Sequence, residues 1–207
     1  RGKWGMQKSS RARRRILAAL VLHASWRWAT SLAPSRAKDW GPRWLARLVS
    51  SAMSTFLSAI CRVPVASLEL PKRLEPTQQY VVVWHPHGAY TVVAFMHCAH
   101  HATTSTPLHW HACVAPVLFQ IPILREALLL VGARTVSAHV VERLLKAGKT
   151  IGLQPGGIPE QLDSDHTREL AVFPPRLGFV RAAMRHGAPL LPAYIFGENQ
   201  AYRTSAA

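Results

Sequence analysis

Tyr80-Val81-Val82-Val83-Trp84-His85-Pro86-His87-Gly88 sets an unbroken apolar run against two histidines held in a proline and glycine frame. The turn-forming stretch Glu75-Pro76-Thr77-Gln78-Gln79 leads into it. A short run of this kind reads as a strand buried on both faces, as in a parallel sheet, and the imidazoles then emerge where a central strand ends. Open α/β sheets keep their chemistry at that end. Pro86 fixes its own φ and biases His85 toward extended geometry, and Gly88 lets the backbone turn sharply. The side chains of His85 and His87 are thus presented on a stiff turn, as a catalytic base requires. A lone His-x-His is more often an ordinary pair of loop histidines, in a chain that holds 11 of them.

A second stretch changes that balance. Thr150-Ile151-Gly152-Leu153-Gln154 is another short apolar strand, and it runs into Pro155-Gly156-Gly157-Ile158-Pro159-Glu160, a turn that ends in a carboxylate. Two neighbouring strands would deliver imidazole and carboxylate to one sheet edge. Gly88, Gly156 and Gly157 are candidates to offer backbone N–H groups to an oxyanion or a phosphate.

The rest alternates in the α/β manner, with helices expected over 89–101, 123–131, 138–147 and 177–186 and further strands over 112–115 and 190–196. The fold expected is α/β, a mostly parallel sheet with flanking helices. Ahead of it, residues 1–61 form a basic segment: of 25 Lys and Arg, 12 lie in residues 1–47, where Asp39 is the only acid. Such a segment seeks a polyanion, whether lipid headgroups, nucleic acid or the phosphates of a nucleotide. Residues 16–32 are mostly apolar, but His23 and Arg27 interrupt them, which favours one arm of a shallow hairpin over a full membrane crossing. Residues 45–60 alternate at helical spacing as an amphipathic helix, closed by Arg62-Val63-Pro64. The chain divides on this reading into residues 1–61 and a catalytic domain of residues 62–207.

The chain resembles the type 2 diacylglycerol acyltransferase family, which includes monoacylglycerol and wax-alcohol acyltransferases. The resemblance is carried by His85-Pro86-His87-Gly88, Ile121-Pro122-Ile123-Leu124-Arg125-Glu126, Pro155-Gly156-Gly157-Ile158-Pro159-Glu160, Arg176-Leu177-Gly178-Phe179, Arg185-His186-Gly187-Ala188-Pro189-Leu190-Leu191-Pro192 and Phe196-Gly197-Glu198-Asn199, in the family's order. It extends from about Trp40 to Tyr202. Leu177 stands where the family usually has a second basic residue. The chain starts at Arg1 and stops short of the family's usual length, so an incomplete C-terminus is expected.

The resemblance implies a glycerolipid acyltransferase-like fold on a membrane surface, at the endoplasmic reticulum or a lipid droplet. It implies transfer of a fatty acyl group from acyl-coenzyme A, a co-substrate rather than a bound cofactor, to the hydroxyl of a neutral lipid, diacylglycerol first among the candidates. His87 is the first choice of base, Glu160 its hydrogen-bond partner and His85 a positioning donor, with swapped roles left open; no acyl-enzyme is required. Arg125 and Arg176 are candidates for the coenzyme A phosphates. Phe179 and Phe196 are expected to pack the sheet, while Glu198 and Asn199 are candidates for substrate contact, Glu198 also as an alternative partner of the histidines.

Other chemistries fit less well. Gly-x-Ser-x-Gly does not occur, against an α/β-hydrolase elbow. Gly148-Lys149-Thr150 lacks the upstream glycine of a phosphate loop, Arg143 standing there. The spacing of His97, Cys98, His100, His101, His109, His111 and Cys113 matches no standard zinc pattern, so no metal is expected. Three cysteines without a paired framework suit a reducing compartment. Arg11-Ala12-Arg13-Arg14-Arg15 lacks interleaved aromatics, so no nucleic-acid partner is expected. A non-catalytic basic protein that binds lipid surfaces or nucleic acid through the same fold is the alternative.

Overall fold

The computed structural model describes residues 3–61, 74–75, 77–89, 91 and 109–203. The helix expected over 89–101, the histidines and cysteine at 97–101 and the Arg62-Val63-Pro64 stop lie outside the described residues, apart from Ala89 and Thr91.

The two apolar runs are strands side by side. Strand β1 (Val81–His85) is buried along its whole length and pairs in parallel with β4 (Thr150–Leu153), Val81 beside Ile151 and Val83 beside Leu153. On its other side β1 pairs in parallel with β5 (Leu190–Tyr194), where His85 lies beside Tyr194. Strand β2 (Trp110–Val114) pairs with β4 and with the two-residue β3 (Arg134–Thr135), giving a five-stranded parallel sheet in the order β3-β2-β4-β1-β5. The short β3 carries no periodic pattern and was not expected.

Each face of the central strands meets its own partners, which is why apolar residues occupy every position. Val81, Val83, Ile151 and Leu153 pack under Val140, Val141, Leu144 and Leu145 of helix α4 (Ala138–Lys146) and Ala182 and Ala183 of helix α6 (Gly178–Arg185). On the opposite face Trp84 and Trp110 approach to a ring separation of 6.0 Å over Gly152, where an added Cβ would meet Trp84 at 2.5 Å and Trp110 at 2.9 Å. Between the strands lie α3 (Leu124–Leu130), after Pro122, and α5 (Gly157–Leu162). Helix α5 occupies the segment read from its glycines and prolines as a simple turn, a correction to that reading.

The N-terminal part is helical. Residues Lys3–Ala29 form one helix, α1, with Ile16, Leu17, Leu20, Val21, Leu22, Trp26 and Trp28 exposed. No helix among the described residues is long and apolar enough to cross a membrane. The chain separates into two compact units, Arg1–Ala33 and Pro34–Ala207. The amphipathic helix α2 (Arg43–Cys61) therefore belongs with the sheet, buries Ala46 and Ser50 and packs on α3.

What ties residues 34–39 to the sheet is a buried guanidinium. Arg134 is fully buried and donates to the carbonyls of Ala133, Arg36 and Lys38, each at 2.7 Å. Nearby His111 donates from Nδ1 to the Gly132 carbonyl at 2.7 Å. Burial pulls the His111 pKa down to about 4, with help from the Arg134 charge and against the raising effects of that hydrogen bond and of Asp39.

Two stability predictions follow from this packing. Gly152→Ala forces a methyl between two indole rings, and the denaturant midpoint should fall by the equivalent of about 1–3 kcal/mol. The folded His111 binds its proton less readily than the unfolded chain does, so its stabilising contribution is complete above about pH 6.5 and is lost as pH falls toward 4. Denaturation between those pH values should show this slope, and His111→Gln, whose amide still donates to Gly132, should flatten it.

Candidate active site

Because β1 and β4 are parallel neighbours, their C-terminal ends emerge together. His85 closes β1, followed by a cis peptide to Pro86, and Gln154-Pro155-Gly156 follows β4 into α5. The structure brings His85 and Glu160 into contact: Nδ1 lies 2.9 Å from Oε1 and 3.1 Å from Oε2, with both residues buried. An ionised carboxylate only accepts, so beside one a neutral His85 ring carries its proton on Nδ1 and its lone pair on Nε2. Nε2 is buried and has no hydrogen-bond partner among the described residues.

Glu160 is held in a narrow seat. The backbone N–H of Val172 donates to Oε1 at 3.2 Å, and the carboxylate lies where a Cβ on Gly156 would be. Two further side chains from the same segment brace the histidine turn. Gln154 Nε2 donates to the Pro86 carbonyl at 3.3 Å and Gln161 Nε2 to the Ala89 carbonyl at 2.6 Å.

His87 is not the partner of Glu160, against expectation. It is half-buried, and its Nδ1 is engaged locally with the Gly88 carbonyl at 3.1 Å and the Thr91 hydroxyl at 3.3 Å. The cause is position along the chain: His85 is still in the strand and points with Val83, whereas His87 stands two residues beyond it. The glycines also differ from their expected roles. Gly157 has a φ of 54° and turns its N–H back to the Gln154 carbonyl at 3.3 Å, so that donor is already used. Gly156 supplies space for the carboxylate, and Gly88, with a φ of 64°, fits against Glu198.

Four other candidates fall into two groups. Arg125 is buried and paired with Glu126 at 3.1 Å. Arg176 is exposed, next to Leu177. Glu198 is fully buried beside Gly88, and Asn199 is 2% exposed. Asn199 spends its amide inside the protein, donating to the carbonyls of Arg168 at 3.2 Å and Leu170 at 3.4 Å and accepting from the Ser164 hydroxyl at 3.3 Å. Glu198 and Asn199 thus hold the frame of the site instead of lining a substrate surface. Phe179 packs against the core as expected, but Phe196 is 84% exposed.

Beside His85 opens a cavity of about 640 Å³ with almost wholly apolar walls. Val83, Phe173, Leu177, Phe179 and Leu190 line it, and His85 and Tyr194 are its polar side chains. The Phe173 ring lies against the His85 imidazole at a centroid distance of 4.5 Å and an angle of 43°. Tyr194 donates its hydroxyl to Glu169 at 2.6 Å, and burial together with that bond pushes its pKa up to about 12, so it stays protonated. Phe173, Gln154 and Gln161 were missed from the sequence, since residues 163–176 show no period and neither glutamine sits in a diagnostic pattern; Tyr194 lay in an expected strand with nothing to mark it as part of the site.

The diacylglycerol acyltransferase profile matches residues 15–207, nearly the whole sequence. The chain belongs to the diacylglycerol acyltransferase family. It is 31% identical over 181 residues to acyl-CoA wax alcohol acyltransferase 1 of Mus musculus, covering 84% of this chain and 52% of the relative. It is 34% identical over 142 residues to diacylglycerol O-acyltransferase 2 of Dictyostelium discoideum, covering 66% and 43%, and 34% identical over 134 residues to the Homo sapiens protein of that name, covering 61% and 34%. The chain thus spans about half or less of the length of these relatives. No solved structure matches it significantly.

A direct test of the family member's site geometry is the histidine tautomer. Nitrogen NMR should show His85 protonated at Nδ1, and Gly156→Ala, which pushes the carboxylate out of its seat, should shift the ring toward a tautomer mixture.

Proposed function

We propose that this chain carries the catalytic core of an acyl-coenzyme A-dependent O-acyltransferase that esterifies the hydroxyl of a neutral lipid, diacylglycerol before long-chain alcohols. The observation that carries the reading is a buried His85–Glu160 pair whose second imidazole nitrogen, free of hydrogen bonds among the described residues, belongs to a side chain lining an apolar cavity. Family membership supports it.

In this reading His85, not His87, is the base. The acceptor hydroxyl gives its proton to Nε2 as its oxygen bonds to the thioester carbonyl carbon, and Glu160 stabilises the imidazolium that forms. The tetrahedral intermediate then collapses, the C–S bond breaks, and the proton passes from Nε2 to the departing thiolate of coenzyme A. Ester and free thiol leave, and no acyl-enzyme is formed. The cavity walled by Phe173, Phe179 and Leu190 takes the acyl chain, where each buried methylene contributes about 0.8 kcal/mol. Arg176, exposed beside the cavity residue Leu177, is the candidate contact for a coenzyme A phosphate.

The same proposal sets the protein on a membrane surface, at the endoplasmic reticulum, where its acceptor dissolves. The support is helix α1, whose Arg11 to Arg15 cluster precedes the exposed Ile16, Leu17, Leu20, Trp26 and Trp28.

The test is turnover of oleoyl-coenzyme A with diacylglycerol or hexadecanol presented in phospholipid vesicles. His85→Ala and Glu160→Ala should each lower kcat by about 10²–10⁴, and His87→Ala by less. Undiminished turnover in His85→Ala removes the mechanism.

A further inference from the structure

Residues 164–173 cross the site without regular secondary structure and are fastened at several points. Asn199 holds the carbonyls of Arg168 and Leu170, Ser164 bonds to Asn199, and Tyr194 holds Glu169. Asp165 tightens the bend by accepting from the Thr167 N–H and hydroxyl and from Arg168. Beyond these anchors the strap does two things within three residues. Ala171 and Phe173 form part of the cavity wall, while the Val172 N–H bonds to Glu160 and the Phe173 ring lies on His85.

Cavity wall and base support are therefore one piece of chain. Phe173 is 63% exposed, a large apolar ring that any chain entering the cavity would cover. A chain covering it would lie against the ring that packs on the imidazole and against the strap that bonds to the carboxylate. We propose that Phe173 is a positioning residue for His85, and that an acyl chain seated in the cavity sharpens the alignment of the His85–Glu160 pair, so that chain burial speeds the transfer step as well as binding. The inference rests on the acyl-transfer reading above and adds a residue and a coupling that its mechanism does not use.

The experiment compares kcat and KM for oleoyl- and butanoyl-coenzyme A in wild type, Phe173→Leu, Phe173→Tyr and His85→Ala, with thermal unfolding to confirm equal folding. Leu keeps an apolar wall but removes the flat ring, so kcat with the oleoyl donor should fall about tenfold or more while KM stays within about twofold. Tyr restores the ring and should bring kcat back to within about twofold of wild type. The kcat advantage of the oleoyl over the butanoyl donor, present in wild type, should vanish in Phe173→Leu. A wall with no positioning role predicts the opposite split, a higher KM at unchanged kcat, and that result overturns the inference while an inactive His85→Ala leaves the acyl-transfer reading standing. Full turnover in His85→Ala overturns both.

Discussion

The hydrogen bond between His85 Nδ1 and Glu160 joins the C-terminal end of β1 to the helix that follows its parallel neighbour β4, and much of the neighbouring structure serves to keep it. Removing a carboxylate from water costs several kcal/mol unless its lone pairs are met. Here the imidazole N–H and the Val172 N–H meet them, and Gly156 leaves the volume in which the carboxylate sits. The arrangement favours one tautomer of a neutral His85 ring and so, in the proposed reaction, makes Nε2 the nitrogen that takes the proton. Parallel pairing of β1 with β4 is what allows it, because antiparallel neighbours would send the two side chains to opposite ends of the sheet.

Around that bond the protein has built braces of ordinary chemistry. Gln154 and Gln161 hold the carbonyls of Pro86 and Ala89, Glu198 fills the space under Gly88, and Asn199 fastens the strap that returns to Glu160. Each contact is worth about 0.5–1.5 kcal/mol in stability, and their larger effect is on position. The Phe-Gly-Glu-Asn stretch at 196–199 thereby acquires a physical reason for its composition. Its glutamate and asparagine are buried frame members, and its phenylalanine is the residue left outside.

The architecture was largely legible because buried parallel strands write themselves as solid apolar runs. Val81 to Trp84 and Thr150 to Leu153 read as two strands that bring an imidazole and a carboxylate to one sheet edge, and the family resemblance then made Glu160 the expected partner of a histidine. Which histidine was not legible. His85 and His87 differ by two residues and one proline, and only the point at which the strand ends decides between them. Helix α5 hid behind its own glycines and prolines, where local propensity predicts a turn and tertiary contacts impose one and a half turns of helix. Arg125 and Arg134 illustrate a further limit, since a sequence cannot say whether a guanidinium faces solvent or a set of carbonyls. The strap at 164–173 has no period at all, and its role rests on contacts with residues far along the chain.

The nearly unbroken hydrocarbon lining of the cavity beside His85 sets what its contents are allowed to be. Past His85 and Tyr194, the lining side chains offer no partner for a hydroxyl, a ketone or an amide. A tail carrying such a group would strand it there, at a penalty of about 1–3 kcal/mol, whereas a plain alkyl or alkenyl tail loses nothing. A lining of this kind thus favours fully reduced chains over oxygenated ones in whatever occupies it, a selection by oxidation level that precedes any chemistry in the proposed reaction.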